Sequence, residues 1–207
     1  MPAPVAAVRS NWPDPARMAD KWKITGDSLI AVTVRRGGAL ARLGHDHVVA
    51  ARVLNGWAYP GKGPEPARAV FSFRLDAMVV DDDALRTQAG LTNTPPADAI
   101  AGTRHNMLVK VLEAERYPEV LVQAEQSSAG ALNADITLHG VTRRYTIPAR
   151  IGQDAGGIAA SGQFTLKQSD FGITPFAVLG GALAVQDTLE LRFAIRAAPA
   201  AAQPARP

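Results

Sequence analysis

The stretch that decides the fold is ALNADITLHGVTRRYTIPARI, residues 131–151. Apolar and polar residues alternate from Leu132 to Leu138, and a second strand candidate runs from Val141 to Ile151. Successive side chains of a strand point to opposite faces, so this alternation predicts strands with one apolar and one wet face. Between them, His139-Gly140 predicts a tight hairpin turn, because glycine readily adopts a positive φ.

The same period of two recurs along the chain, and it is typical of antiparallel sheets. The clearest repeats are Phe71–Leu75, Ile158–Leu166 and Leu189–Ile195. Further strand candidates are Trp22–Ile24, Leu29–Arg35, His47–Tyr59 and Glu119–Glu125. With the hairpin, the total is about eight or nine strands, which is the number of a barrel or a sandwich. The sequence therefore predicts an all-β antiparallel fold of about eight strands, and the pattern leaves both a barrel and a sandwich open.

One segment departs from this period. Apolar residues recur at near-helical spacing between Ile100 and Leu112, and Pro118 prevents a helix from continuing into the next strand. Gly102-Thr103 weakens the first half of the segment. We therefore predict one short helix, over His105–Ala114.

Composition narrows the class of protein. The chain has 207 residues, no cysteine and no apolar run long enough for a transmembrane helix. Its net charge of +3 is spread along the strands with no basic run longer than two residues, which predicts no nucleic-acid binding. We predict a single domain over residues 21–197, a flexible N-terminal segment 1–20 and a disordered Ala/Pro-rich tail 198–207.

If the strands close into a barrel, its interior has two interpretations. A barrel of about eight strands is just wide enough to fill its interior with side chains or to hold one small ligand. Alternation alone does not separate a packed core from a cavity. If a ligand binds inside, the predicted contacts are the inward-facing residues Val32, Val34, Phe71, Phe73, Ile136, Leu138, Phe164, Leu166, Leu191 and Phe193.

The histidines give the alternative hypothesis. His45 and His47 are two residues apart, so an extended chain places both imidazoles on one face, and a metal site needs a third ligand. This pattern predicts, as the alternative function, a metal-binding protein or a metal-dependent enzyme. The other interpretation is a structural role, with Asp46 bonding backbone amides in a turn. His105 is a candidate for contacting a ligand head group at the barrel mouth, or for capping the helix.

Other chemistry-bearing patterns are absent or weak. The run Asp81-Asp82-Asp83 lacks the spaced ligands of a calcium loop and indicates a solvated turn. The sequence contains no Gly-x-Ser-x-Gly elbow, no His-Glu-x-x-His and no phosphate-binding loop. We therefore expect a binding protein that requires no cofactor and has no catalytic residue.

Several short motifs carry a family resemblance. They are LHGVTR at 138–143, Arg104-His105 followed by YPE at 117–119, GQFTL at 162–166 and SDFGI at 169–173. Together they resemble, in order and over about Trp22 to Ala197, the YceI family of lipocalin-like proteins that bind polyisoprenoids. Each motif is weak alone, but in register they are fairly specific.

The resemblance implies a lipocalin-like antiparallel β-barrel with a helix near one mouth. It implies a long apolar pore for an isoprenoid chain, such as a bound isoprenoid quinone or a polyprenyl lipid. It leaves a homodimer open. The cellular location is also open, because the sequence as given has no signal peptide, which favours the cytoplasm, whereas some family members are periplasmic.

Overall fold

The alternating segments form strands. The computed structural model describes residues 21–128, 130–154 and 156–199. The strands are β1 Trp22–Ile24, β2 Leu29–Val34, β3 Arg36–Gly37, β4 His47–Ala51, β5 Asn55–Tyr59, β6 Arg68–Arg74, β7 Val79–Val80, β8 Glu119–Ser128, β9 Ala131–Leu138, β10 Val141–Asp154, β11 Gly157–Lys167, β12 Ala177–Val178, β13 Leu183–Val185 and β14 Thr188–Pro199. The helices are α1 Asp83–Gln88 and α2 Ala97–Asn106, with a π-helical turn Met107–Val111 after α2. Short 3₁₀ turns are Ala41–Leu43, Leu75–Ala77, Gln168–Phe171 and Leu179–Gly181.

Eight strands close into an antiparallel barrel, as predicted. Their order is β1-β5-β6-β8-β9-β10-β11-β14, and β14 pairs back with β1. The strand β14 also pairs with β2, from which β4 and β7 extend the sheet. Closure satisfies the backbone groups that an open sheet would leave at its edges.

The predicted strand His47–Tyr59 is divided into β4 and β5 by residues 52–54. β2 and β1 pair in tandem with β14, and β4 and β5 pair in tandem with β2 and β1. Each pair of short strands therefore acts as one long strand that bends in its middle.

The predicted hairpin joins β9 and β10. Leu138 pairs with Val141, and the two residues between them have positive φ angles, 52° at His139 and 74° at Gly140. Two positive φ angles define the type I′ turn, whose twist matches that of the flanking strands. The hairpin prediction is confirmed.

Alternation sets which faces are buried. Along β11, Ile158 and Leu166 are buried inside the barrel, while Ser161 and Gln163 are exposed on the outside. The apolar face of the strands thus points inward and the polar face points to solvent.

The predicted helix is present near one mouth, but it begins earlier than expected. It starts at Ala97 and continues to Val111 through the π-helical turn, whereas we predicted His105–Ala114. Gly102 is exposed, and a glycine in an exposed helix costs about 1 kcal/mol without forbidding the helix. The helix ends early because Glu113 has a positive φ of 45°.

Several small elements were not predicted, including β7, α1 and a second sheet. The helix α1 begins after Asp82, whose side chain accepts a hydrogen bond from the Leu85 amide at 3.1 Å. The strands β12, β13 and β3 form a separate sheet of three strands. In the described part of the chain, no helix is long and apolar enough to cross a membrane.

The chain ends are only partly described. The predicted flexible segment 1–20 lies outside the described residues. Of the predicted tail 198–207, Ala198 and Pro199 belong to β14 and pair with β1, and residues 200–207 lie outside the described residues.

Candidate functional site

The barrel encloses an apolar cavity of about 470 Å³. Small-molecule sites in proteins typically measure about 300–1,000 Å³. Much of the room comes from small inward-facing residues, including Ala69, Ala124, Ala134 and Ala160. The interior is therefore a cavity and not a fully packed core.

All ten apolar residues that we predicted as ligand contacts line this cavity: Val32, Val34, Phe71, Phe73, Ile136, Leu138, Phe164, Leu166, Leu191 and Phe193. Two of the aromatic rings, Phe164 and Phe193, meet edge to face with centroids 6.4 Å apart. Contact between these residues and a ligand stays a prediction.

One end of the cavity is covered by α2 and its π-helical turn. Thr103, Asn106 and Met107 line the cavity from this helix. His105 is exposed and is not part of the lining, because residues 103, 106 and 107 occupy one face of the helix and residue 105 points away from it. The structure therefore gives no support to His105 as a head-group contact, and Thr103 is the polar residue that this part of the helix directs into the cavity. We call this the helix end.

The other end of the cavity lies beside the start of β6, the end of β8 and the start of β9. Leu132 and Ile158 line it. Arg68 also lines it, and its Nε lies 2.6 Å from Glu125 Oε2. We call this the far end.

A buried polar network lies at the helix end. His47 lines the cavity and is 9% exposed, and its Nδ1 lies 2.6 Å from Asp81 Oδ2. The Asp81 side chain is fully buried and also accepts hydrogen bonds from Arg86 Nη1 at 2.5 Å and from the Val48 amide at 3.0 Å. The other ring nitrogen, His47 Nε2, lies 3.2 Å from Thr103 Oγ1.

These contacts set the charge of Asp81. Burial alone raises the pKa of the Asp81 carboxyl, but the hydrogen bonds from His47, Val48 and Arg86 outweigh it and bring the pKa below the usual 3.8. Asp81 is therefore an anion at neutral pH. A buried anion is tolerated only when it is paired, and the guanidinium of Arg86, a residue that is itself 3% exposed, supplies the positive counter-charge.

The metal alternative gains no support from this geometry. The rings of His45 and His47 are 6.2 Å apart between centroids, and His45 is exposed. Among the residues described, no group of three His, Cys, Asp or Glu side chains could hold a metal ion. Asp46 instead accepts a hydrogen bond from the Arg36 amide at 2.9 Å, which agrees with the structural interpretation of the segment.

Comparison with known proteins now identifies the family. The family model of the YceI-like domain matches residues 66–197, which include six of the eight barrel strands, from β6 to β14. The chain belongs to the YceI-like family. No curated protein sequence matches it significantly.

Solved structures share this YceI-like barrel. BcnA from Burkholderia cenocepacia is 11% identical, with a TM-score of 0.59 over 84% of this chain and 98% of its own. A polyisoprenoid binding domain from Saccharophagus degradans, implicated in plant cell wall breakdown, is 13% identical, with a TM-score of 0.60 over 88% of this chain and 100% of its own. At these identities the likeness establishes a common fold.

Sequence reasoning missed three polar residues of the YceI-like barrel. Asp81 was predicted to lie in a solvated turn, but it is buried; Arg86 and Thr103 were not considered as site residues. The pairing of His47 with Asp81 spans 34 residues of sequence and depends on strands β4 and β7 meeting. No local spacing reports such a contact, so only the fold reveals it.

Proposed function

We propose that the cavity binds one amphipathic, lipid-like molecule with a long apolar chain, and that this molecule is an isoprenoid. The observation that carries the proposal is the continuous apolar lining of a 470 Å³ cavity inside a closed barrel. Membership of the YceI-like family supports it, as does the likeness in fold to the polyisoprenoid binding domain from Saccharophagus degradans.

The proposed mechanism is passive sequestration. Each square ångström of apolar surface withdrawn from water contributes about 25 cal/mol. The lining residues are held in place by the barrel before a ligand arrives, so binding orders few additional groups. An isoprenoid quinone or a polyprenyl lipid supplies the extended apolar chain that this arrangement accommodates. The proposed role includes no chemical step and no cofactor.

Uptake of a ligand by matched variants tests the proposal. Ala160 lines the cavity, whereas its neighbour Ala159 is exposed on the outer face of β11. We expect the wild type and Ala159→Trp to take up an added isoprenoid quinone, detected as a one-to-one complex by native mass spectrometry. Ala160→Trp places an indole in the cavity and should take up none.

The folded state of each variant is checked first by its thermal unfolding, because overpacking costs about 1–3 kcal/mol. If Ala160→Trp does not fold, the smaller Ala160→Leu replaces it and should reduce uptake in part. Failure of the wild type to bind, or full uptake by a folded Ala160→Trp, contradicts the proposal.

A further inference from the structure

A pair of hydrogen-bonded polar side chains lines the cavity at the helix end. His47 Nε2 and Thr103 Oγ1 are 3.2 Å apart, and both residues line the cavity. The other polar side chains of the lining at this end are those of Arg36, His45, Asn106 and Gln168. His45 is exposed and Asn106 is half-buried, whereas Arg36 and Gln168 already have partners. Arg36 donates to the Gly44 carbonyl at 2.7 Å, and Gln168 donates to the Gln186 carbonyl at 2.9 Å.

The network behind His47 fixes which ring nitrogen carries a proton. Asp81 accepts hydrogen bonds from Arg86 and from the Val48 amide, so it is an ionised acceptor. It therefore accepts from His47 Nδ1, so the neutral form of the ring carries its proton on Nδ1 and has its lone pair on Nε2, on the side of Thr103.

The Thr103 hydroxyl is the second hydrogen-bonding group of this pair. A hydroxyl has one donor and two acceptor positions, so Thr103 can donate to His47 Nε2 while its oxygen accepts from another group. Alternatively, a ligand hydroxyl donates to Nε2 while Thr103 donates to the ligand oxygen. In either arrangement, both His47 Nε2 and the Thr103 hydroxyl have all their hydrogen bonds only if the ligand has an O–H group. An ether or a ketone cannot donate in return.

We propose that His47 and Thr103 form a head-group site that recognises the hydroxyl of an isoprenoid alcohol. The inference rests on the proposed function and adds the chemistry of the head group and its orientation in the barrel. The apolar chain extends from the helix end toward the far end, along the wall that includes Phe164 and Phe193.

The charges of the lining favour a neutral head over a phosphate. A phosphate group requires unpaired cationic donors. Arg36 Nε lies 3.7 Å from Asp46 Oδ1, and Arg68 is paired with Glu125 at the far end. Arg86 is committed to Asp81. The site therefore offers a hydroxyl and a ring nitrogen as hydrogen-bonding groups, and the cations near it already have anionic partners.

Affinities for three ligands that share one chain test the proposal. The probes are geranylgeraniol, its methyl ether and geranylgeranyl phosphate, measured by titration calorimetry. We expect the wild type to bind the alcohol about three- to ten-fold more tightly than the ether, which corresponds to one net hydrogen bond. The phosphate should bind more weakly than the alcohol, because its charge lacks a partner.

Two variants test whether Thr103 and His47 cause the preference for the alcohol. Thr103→Val removes the hydroxyl with little change of shape, and His47→Asn keeps a donor toward Asp81 while removing Nε2. Each should bind alcohol and ether with similar affinity, without weakening the binding of the ether. The control, Thr165→Val, removes a hydroxyl from the exposed outer face of β11 and should keep the preference.

The outcomes separate this inference from the function on which it rests. Equal affinity of the wild type for alcohol and ether overturns the head-group site but leaves lipid binding intact. Tighter binding of the phosphate, or a preference that survives in both variants, also overturns it. If the wild type binds none of the three probes, the head-group site and the proposed function fail together.

Discussion

The wall of the cavity and its helix end are built on different principles. The wall consists of inward-facing apolar side chains on strands such as β6, β11 and β14, and its stability comes from burial of apolar area. The helix end is held by a buried chain of hydrogen bonds and charges through His47, Asp81 and Arg86. We therefore expect the wall to tolerate changes of shape better than the network tolerates the loss of one member. In the function proposed above, the wall supplies affinity and the helix end supplies selectivity.

The largest expected effect comes from breaking the network. Asp81→Ala leaves Arg86 buried without its counter-charge and removes the acceptor of His47, so the free energy of unfolding should fall by about 3–5 kcal/mol. Urea denaturation measures this loss. The control Asp83→Ala removes an exposed carboxylate two residues away and should cost about 1 kcal/mol or less. Similar losses for both variants would contradict the difference between the network and the surface.

Removing an aromatic ring from the wall should have a smaller effect. Phe164 borders the cavity, so Phe164→Ala enlarges a space that already exists, and we expect a loss below about 3 kcal/mol. The control Phe171→Ala removes a fully buried ring that packs on Tyr145, and it should reach the full cost of about 3–5 kcal/mol. Urea denaturation measures the free energy of unfolding of both variants. An equal loss would indicate that Phe164 is as tightly packed as Phe171.

Turns at the two ends of the barrel give a finer comparison. Gly140 lies at the helix end and Gly130 at the far end, and both have positive φ, so alanine costs about 1–2 kcal/mol at either position. At Gly140 the added methyl carbon would also lie 2.8 Å from the Tyr117 ring. We expect Gly140→Ala to lower the melting temperature more than Gly130→Ala. The reverse order would contradict the close packing of the hairpin against Tyr117.

The smallest effect is the acid dependence of the network. The folded state lowers the pKa of Asp81, so ionised Asp81 stabilises the fold above about pH 4, and this contribution is lost as the pH falls further. The difference in unfolding free energy between the wild type and Asp81→Asn should therefore be constant near pH 5 and shrink below pH 4. A difference that stays constant down to pH 3 would show that Asp81 does not contribute as an anion.

The same contrast explains how much the sequence could predict. The strands, the hairpin and the inward-facing residues follow from local sequence, because one period of two assigns every residue from Ile158 to Leu166 to a face. Alternation alone left both a barrel and a sandwich open, and the family resemblance indicated the barrel. The predicted start of the helix was wrong because Gly102 lowers helix propensity without preventing a helix. The network was missed because His47, Asp81 and Thr103 are brought together only by tertiary contacts.

The structure of a complex with geranylgeraniol tests the central claim most directly. We predict electron density for one chain inside the barrel, in contact with Phe164 and Phe193, with its hydroxyl within hydrogen-bond distance of Thr103 and His47. Density on the outer surface of the barrel would contradict the cavity as the binding site. A hydroxyl placed at the far end, beside Arg68, would contradict the assignment of selectivity to the helix end.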